Sequence, residues 1–269
     1  MGSPRKKGNT YRVVERVREK LMDINGEIDF EFLFLPDCEL RSCAGCFQCI
    51  AKGEERCPLK DDRDPIMMKM LQADGIIFAA PCYAMGVPAI MKNFIDRFAY
   101  TLHRPLFFDK AFMAVATVGG VMGLKQTLDQ MAILAAGSRP AVRLSVSCPP
   151  VPMPMIDKST ERRIRKATVA FYRLLAVPRR RVPGLGDWAY FHSFKAFTGF
   201  STYRKACPAD CAYYTDKQEY FYALHDHPLG RLLGRIFKVL MKAGLRLSIR
   251  EDRAVQGFHD KSDAPEQSS

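Results

Sequence analysis

Apolar and polar positions change their period along the chain, and the changes mark alternating elements. At 28–35 the residues Ile28, Asp29, Phe30, Glu31, Phe32, Leu33, Phe34 and Leu35 alternate and then run apolar, as a strand does. Short apolar runs follow at 75–80, 111–118 and 142–146, of a length that suits buried strands. Helical periodicity lies between them, near 10–23, 65–73, 87–102, 123–137 and 158–176. The pair Asp64 and Pro65 reads as N-cap and first helical residue of the second of these helices. Alternation of strands and helices at this spacing predicts a doubly wound α/β domain, its parallel sheet covered on both faces.

One strand is wanting. The loop Gly2-Ser3-Pro4-Arg5 should follow a strand that is central in the sheet order 2-1-3-4-5, yet only Met1 precedes it. The expectation is a start further upstream; the alternative is a sheet with a gap. After 177 the pattern becomes linker-like (Pro178 to Gly186). An aromatic-rich stretch from Trp188 to Tyr222 follows, then a long helix from Pro228 and a polar tail. The expected organisation is therefore a domain at 1–177 containing a cysteine-rich loop at 43–57, a basic helical extension at 178–258, and a disordered tail at 259–269.

Composition narrows the class. With 48% hydrophobic and 26% charged residues the 269-residue chain is an ordinary globular one, and nine cysteines are too few and too odd in number for a disulfide scaffold. A reducing, cytoplasmic compartment is expected, with cysteines free for metal or redox chemistry. The N-terminus is charged where a signal peptide would be apolar, and Lys6 stands where myristoylation wants Ser or Thr. The stretch from Ala111 to Leu124 is too short and glycine-rich to span a bilayer. The net charge of +12 lies entirely within 158–253, where 20 Lys and Arg face 8 Asp and Glu.

Gly2-Ser3-Pro4-Arg5-Lys6-Lys7-Gly8-Asn9-Thr10 opens a helix with small and hydroxyl residues. That is what a terminal phosphate needs at a helix N-terminus, and it is also what a plain turn and N-cap look like. A second loop, Pro81-Cys82-Tyr83-Ala84-Met85-Gly86, leads into Met91-Lys92-Asn93-Phe94-Ile95-Asp96-Arg97, and a third candidate loop carries Gly119-Gly120. Taken in this order, the motifs resemble the flavodoxin-like NADPH-dependent FMN reductases and their iron–sulfur flavoprotein relatives, from Gly2 to about Val146. Ala80 and Cys82 depart from that family's Ser-Pro-hydrophobic-Tyr loop. The resemblance implies that Ser3, Arg5, Gly8, Asn9 and Thr10 hold the FMN phosphate. It implies that Pro81, Cys82, Tyr83 and Ala84 line the ribityl chain and ring, and that Thr117, Val118, Gly119 and Gly120 form the third flavin loop. Cys82 also reads as a small packed hydrophobe.

Cys43, Cys46 and Cys49 stand at two-residue spacing, with Cys57-Pro58 following. The run resembles a ferredoxin-type ligand set with its last gap widened, and also the compact motif of the iron–sulfur flavoproteins. A four-iron four-sulfur cluster is the expectation; zinc and free thiols are the alternatives. His225 and His227 read as a solvated loop, and the segment from Cys207 to Tyr214, which resembles the Pro-Ala-Asp-x-x-Tyr segment of the family's longer members, reads as structural.

From Leu229 to Arg250 six cations (Arg231, Arg235, Lys238, Lys242, Arg246, Arg250) recur at helical spacing with no acid among them. Such a helix packs on its own domain or a neighbouring subunit, or makes peripheral contact with a membrane. No nucleic-acid reader accompanies it. The expected function is FMN-dependent oxidoreduction, with electrons passing from NAD(P)H or a protein donor to a quinone, flavin or protein acceptor and no side chain needed as acid or nucleophile. A homo-oligomer is expected. The rival readings are a non-enzymatic electron carrier and a flavin-deficient interaction protein or membrane-associated protein.

Overall fold

Three of the four expected strands form, and all are parallel. In a computed structural model, β1 (Gly75–Pro81), β2 (Ala111–Val118) and β3 (Val142–Ser147) lie in the order β1-β2-β3. Gly75 pairs with Ala111 at one end and Pro81 with Thr117 at the other, while Met113 to Val118 pair with Val142 to Ser147. β2 is buried on both faces except at Val118, which is why its sequence runs apolar without alternation. The helices are α1 (Asn9–Ile24), α2 (Gln48–Ala51), α3 (Arg63–Gln72), α4 (Ala89–Arg97), α5 (Tyr100–His103), α6 (Leu124–Ala132), α7 (Lys158–Ala176), α8 (Leu185–Phe197), α9 (Ser201–Ala206) and α10 (Pro208–Thr215). The structure describes residues 1–136, 141–149, 156–177, 183–222 and the single positions 232, 236, 239 and 240.

The chain divides into two compact units, Met1–Cys43 with Leu59–Arg180, and Ala44–Pro58 with Arg181–Ser269. In the first, α1 lays Val13, Val14, Val17 and Leu21 on one side, spaced as one helical face. These meet Ile164, Ala167 and Phe171 of α7 and Val115, Leu144 and Val146 of the sheet in the main core. The second unit gathers its own aromatic core around buried Trp188, Phe191, Tyr214, Tyr220 and Phe221. Within it α2 packs against α10, and the fully buried Asp210 accepts a hydrogen bond from the Tyr203 hydroxyl at 2.6 Å. Burial first, and then this carboxylate, push the Tyr203 phenol upward. The segment from Cys207 to Tyr214 thus serves packing.

Helix boundaries differ from the expected ones for local reasons. Asp62, not Asp64, stands at the N-cap of α3 and makes no side-chain capping bond; Pro65 falls inside the first turn, where its missing N–H costs nothing. The run 87–102 breaks into α4 and α5 at buried Phe98, whose ring packs 4.6 Å from that of Phe94. α6 ends early in the 3₁₀ turn Ile133–Ala135. Of the basic helix at 229–250, all six cations lie outside the described residues; Leu232, Ile236, Val239 and Leu240 are described, and all are exposed.

The expected strand at 28–35 does not form a ladder. Its pattern is that of a strand, and Ile28, Phe30 and Phe32 still pack at the edge of the core, but its neighbour is two residues long. The Met1 ammonium donates to Leu33 O (2.7 Å), Leu35 N–H donates to Met1 O (3.1 Å), and Gly2 N–H donates to Ala79 O (2.7 Å). Met1 and Gly2 therefore lie parallel between 33–35 and β1, as the end of a central strand would. Upstream of that pair, among the described residues, no backbone hydrogen bond joins 29–32 to a strand.

This arrangement buries a charge. Burial pulls the Met1 amine down from its ordinary value to about 6, with Cys38 opposing. The unfolded chain therefore holds this proton more tightly than the folded one between pH 6 and 8, and folding stability rises with pH across that window by roughly 2–3 kcal/mol. An apolar strand of about five residues appended ahead of Met1 converts the amine into a peptide N–H and fills the sheet. The extended variant is expected to lose that part of the pH slope and, at pH 6, to melt about 5–10 °C higher than the 269-residue chain. Thermal melts of both at pH 6 and 8 check this, and equal melting at pH 6 refutes it.

Candidate functional site

The C-terminal ends of parallel strands, with the helix N-termini that follow them, form the natural ligand crevice of such a sheet. All thirteen residues expected around a flavin lie in the first unit, in three loops at that end and in the ends of α1, β1 and β2 that adjoin them. In the first loop Gly2 is buried so closely that a Cβ there would stand 2.6 Å from Met91 Sδ. Ser3, also buried, closes a tight turn: its Oγ accepts from Arg5 N–H (3.2 Å) and donates to Arg5 O (3.0 Å). Gly8 at the N-cap of α1 brings no side chain to the first-turn N–H groups, which are left facing out with the positive end of the helix dipole. Arg5 Nε comes within 3.8 Å of the place a Cβ on Gly8 would take, so a cation overhangs the N-terminus. Lys6 is held by Asp37. Asn9 is half-buried, and Thr10, buried, shares a 2.7 Å hydrogen bond with Thr117 Oγ1, which ties the first loop to the third.

The second loop continues from β1. Cys82 N–H donates to Thr117 O at 2.7 Å, and its thiol donates to Met122 O at 3.6 Å. Tyr83 and Gly86 exchange backbone hydrogen bonds (2.9 and 3.0 Å) across a turn whose central residues, Ala84 and Met85, both sit in the left-handed region with φ of 46° and 69°. Two such residues cost about 1–2 kcal/mol each, a strain stored where the chain must expose its backbone. The turn presents Tyr83 and Met85 outward, 41% and 45% exposed.

In the third loop Val118 is half-buried and Gly119 and Gly120 are exposed, with open space where either Cβ would go. Ser147 Oγ donates to Gly120 O (2.7 Å), and Cys148 N–H donates to Val118 O (2.7 Å). Val121 and Met122 stand 76% and 70% exposed. Sequence reasoning missed Met85, Val121, Met122, Ser147 and Gln130, whose Oε1 accepts from Val87 N–H at 2.9 Å. The readable clue was two apolar residues set directly after a Gly-Gly pair. The three loops carry an uncapped helix N-terminus beside Arg5, two exposed glycines, and the exposed apolar side chains of Tyr83, Met85, Val121 and Met122, chemistry that suits an anion and a flat ring. These residues fit FMN.

The four cysteines of the run are distributed differently. Cys43 and Cys46 are exposed, Cys49 is half-buried and Cys57 is buried. Gly45 (φ +66°), Phe47 (φ 56°) and Gly53 (φ +118°) turn the loop sharply. Among the described residues, no three His, Cys, Asp or Glu side chains gather as ligands of one ion would. As a donor set, four thiols within a fifteen-residue span suit a thiolate-bound centre.

An iron–sulfur flavoprotein of Methanocaldococcus jannaschii is 48% identical over 97 residues, which is 36% of this chain and 48% of that protein. An iron–sulfur flavoprotein of Archaeoglobus fulgidus is 34% identical over 121 residues, 45% of this chain and 53% of that one. The chain thus spans about half the length of these curated relatives. Among solved structures, an NAD(P)H:quinone oxidoreductase from Methanothermobacter marburgensis aligns with a TM-score of 0.47 at 17% identity, over 68% of this chain and 96% of the other. The sequence profile of the NADPH-dependent FMN reductases matches residues 1–147, more than half of the chain. By that match, the chain belongs to the NADPH-dependent FMN reductase family.

Proposed function

We propose that the protein is an FMN-dependent oxidoreductase that takes electrons from NAD(P)H and passes them to a quinone, flavin or protein acceptor. The observation that carries this reading is the open face at Gly119 and Gly120, framed by exposed apolar side chains and lying in the loop that Thr117 ties to the uncapped N-terminus of α1. When bound, FMN supplies hydride acceptance at N5 and onward delivery of electrons singly or in pairs. The protein's own part is binding and orientation. Ser3, Arg5, Gly8, Asn9 and Thr10 hold the phosphate. Pro81, Cys82, Tyr83 and Ala84 flank the ribityl chain and ring, and Thr117, Val118, Gly119 and Gly120 present backbone to the ring edge. Tyr83, Met85, Val121 and Met122 keep water from the ring.

The proposal extends to the cysteine loop, in which Cys43, Cys46, Cys49 and Cys57 ligate a four-iron four-sulfur cluster. Support comes from the donor spacing and from relatives that are themselves named iron–sulfur flavoproteins. A flavin that exchanges electrons with such a cluster converts electron pairs into single electrons.

The FMN-loaded protein is expected to oxidise NADPH with a quinone or ferricyanide as acceptor. Loading without turnover would instead mark a carrier. A Cβ on Gly119 meets no atom within 4 Å, so Gly119→Ala should leave the melting temperature unchanged while costing about 1–3 kcal/mol of FMN affinity, roughly five- to 150-fold in Kd. Flavin fluorescence titration measures it, and unaltered affinity would remove the ring from that face. Anaerobic reconstitution is expected to give about four irons per chain, and Cys46→Ser to lose most of them. Stoichiometric zinc without iron in protein purified without oxygen would overturn the cluster assignment.

A further inference from the structure

The cysteine loop leaves the first unit after Cys43 and re-enters it at Leu59, and both sides of that neck are tied to one face of α4. Cys43 N–H donates to Asn93 Oδ1 at 2.9 Å, while Asn93 Nδ2 donates to the carbonyls of Leu40 (3.1 Å) and Arg41 (3.3 Å). One turn further on, Arg97 Nη1 donates to Arg41 O at 2.7 Å, and its two Nη atoms grip the Asp61 carboxylate at 2.5 and 2.8 Å. Asp61 also accepts from the N–H groups of Arg41 (2.9 Å) and Arg63 (3.2 Å). Across the neck, Glu39 N–H donates to Asp62 Oδ2 (2.7 Å) and Asp62 N–H donates to Glu39 O (3.2 Å).

The Asp61 and Arg97 side chains are 3% and 1% exposed. A buried ion pair adds little net stability over apolar packing, but a forked guanidinium on a carboxylate admits one geometry and so fixes register. Here the register fixed is that of the residues just before Cys43 and just after Pro58. Bringing the ends of a long loop together in advance removes part of the entropy that ligand gathering would otherwise cost.

We infer that Asn93 and the Asp61–Arg97 pair form a clasp across the neck of the loop that positions Cys43 as the first ligand of the iron–sulfur centre, an inference that rests on the cluster reading above. Asn93 and Arg97 are positioning residues, acting on Cys43 through its backbone. The clasp also ties Cys43 to the helix that follows the second flavin loop.

Removing either charge of the buried pair leaves the other uncompensated and endangers folding, so Asn93→Ala is the primary variant. Alanine favours the helix, which separates loss of the clasp from loss of α4. In anaerobically reconstituted protein, Asn93→Ala is expected to surrender iron to a chelator about tenfold more readily than wild type and to shift the electron paramagnetic resonance of the reduced cluster. In metal-free protein, Cys43 should alkylate faster in the variant while Cys82 and Cys211 keep their rates, a selectivity that general loosening would not produce. FMN content should stay the same. Unchanged iron retention with unchanged Cys43 labelling overturns the clasp. Wild-type protein that takes up no iron, with Cys43 labelling still accelerated in the variant, overturns the cluster reading and the ligand role but leaves the hold on Cys43 standing.

Discussion

Three hydrogen bonds made by Met1 and Gly2 hold the ligand-binding end of the sheet in place. A loop at the end of a parallel strand points where the strand points, and here the strand is reduced to the two residues bonded to Leu33, Leu35 and Ala79. From that anchor the chain passes Met91 with no room for a Cβ, turns on the Ser3 hydroxyl, and enters α1 already aimed at Thr117. The Thr10–Thr117 bond and the Cys82–Thr117 bond then make a single threonine the meeting point of all three loops. The valine and leucine face of α1 secures the same geometry from the side of the core.

Two buried charges in this unit are handled in opposite ways. Burial pushes the Asp61 carboxyl up, but the Arg97 guanidinium and the N–H groups of Arg41 and Arg63 outweigh it and hold the group below the usual carboxylate range. Its contribution to stability is present at neutral pH and fades only as acid approaches that lowered value. The Met1 amine is pulled downward by burial, so its charge opposes folding where that of Asp61 supports it. The contrast separates a carboxylate held by convergent donors from an amine that burial disfavours.

Much of this was legible in the sequence. The three apolar runs became β1, β2 and β3 within a residue of their expected bounds because continuous burial admits no other pattern. The turn segments after the expected strands at 75–80 and 111–118 and before the expected helix at 10–23 lie near one another, joined through Thr117. Illegible were features that depend on distant parts of the chain. The alternation at 28–35 names a strand but cannot supply its partner. Asn93 and Arg97 sit in a recognisable motif, yet their bonds run to residues more than thirty positions away. The grouping of 44–58 with residues from 181 onward leaves no local trace either. Met85 and Val121 were passed over because apolar residues are normally read as core.

The exposed rim of Tyr83, Met85, Val121 and Met122 makes the empty protein sticky. Surface of that kind, beside an open sheet end, favours self-association and capture by folding helpers until a flat ligand covers it. Ligand supply then acts as quality control: at a free concentration one hundred times the Kd, a ligand that binds only the folded chain adds about 2.7 kcal/mol, a large part of what a domain this size has to spare. On the proposed reading, a cell short of FMN would lose the protein to aggregation and proteolysis, and the amount of protein present would track the flavin pool.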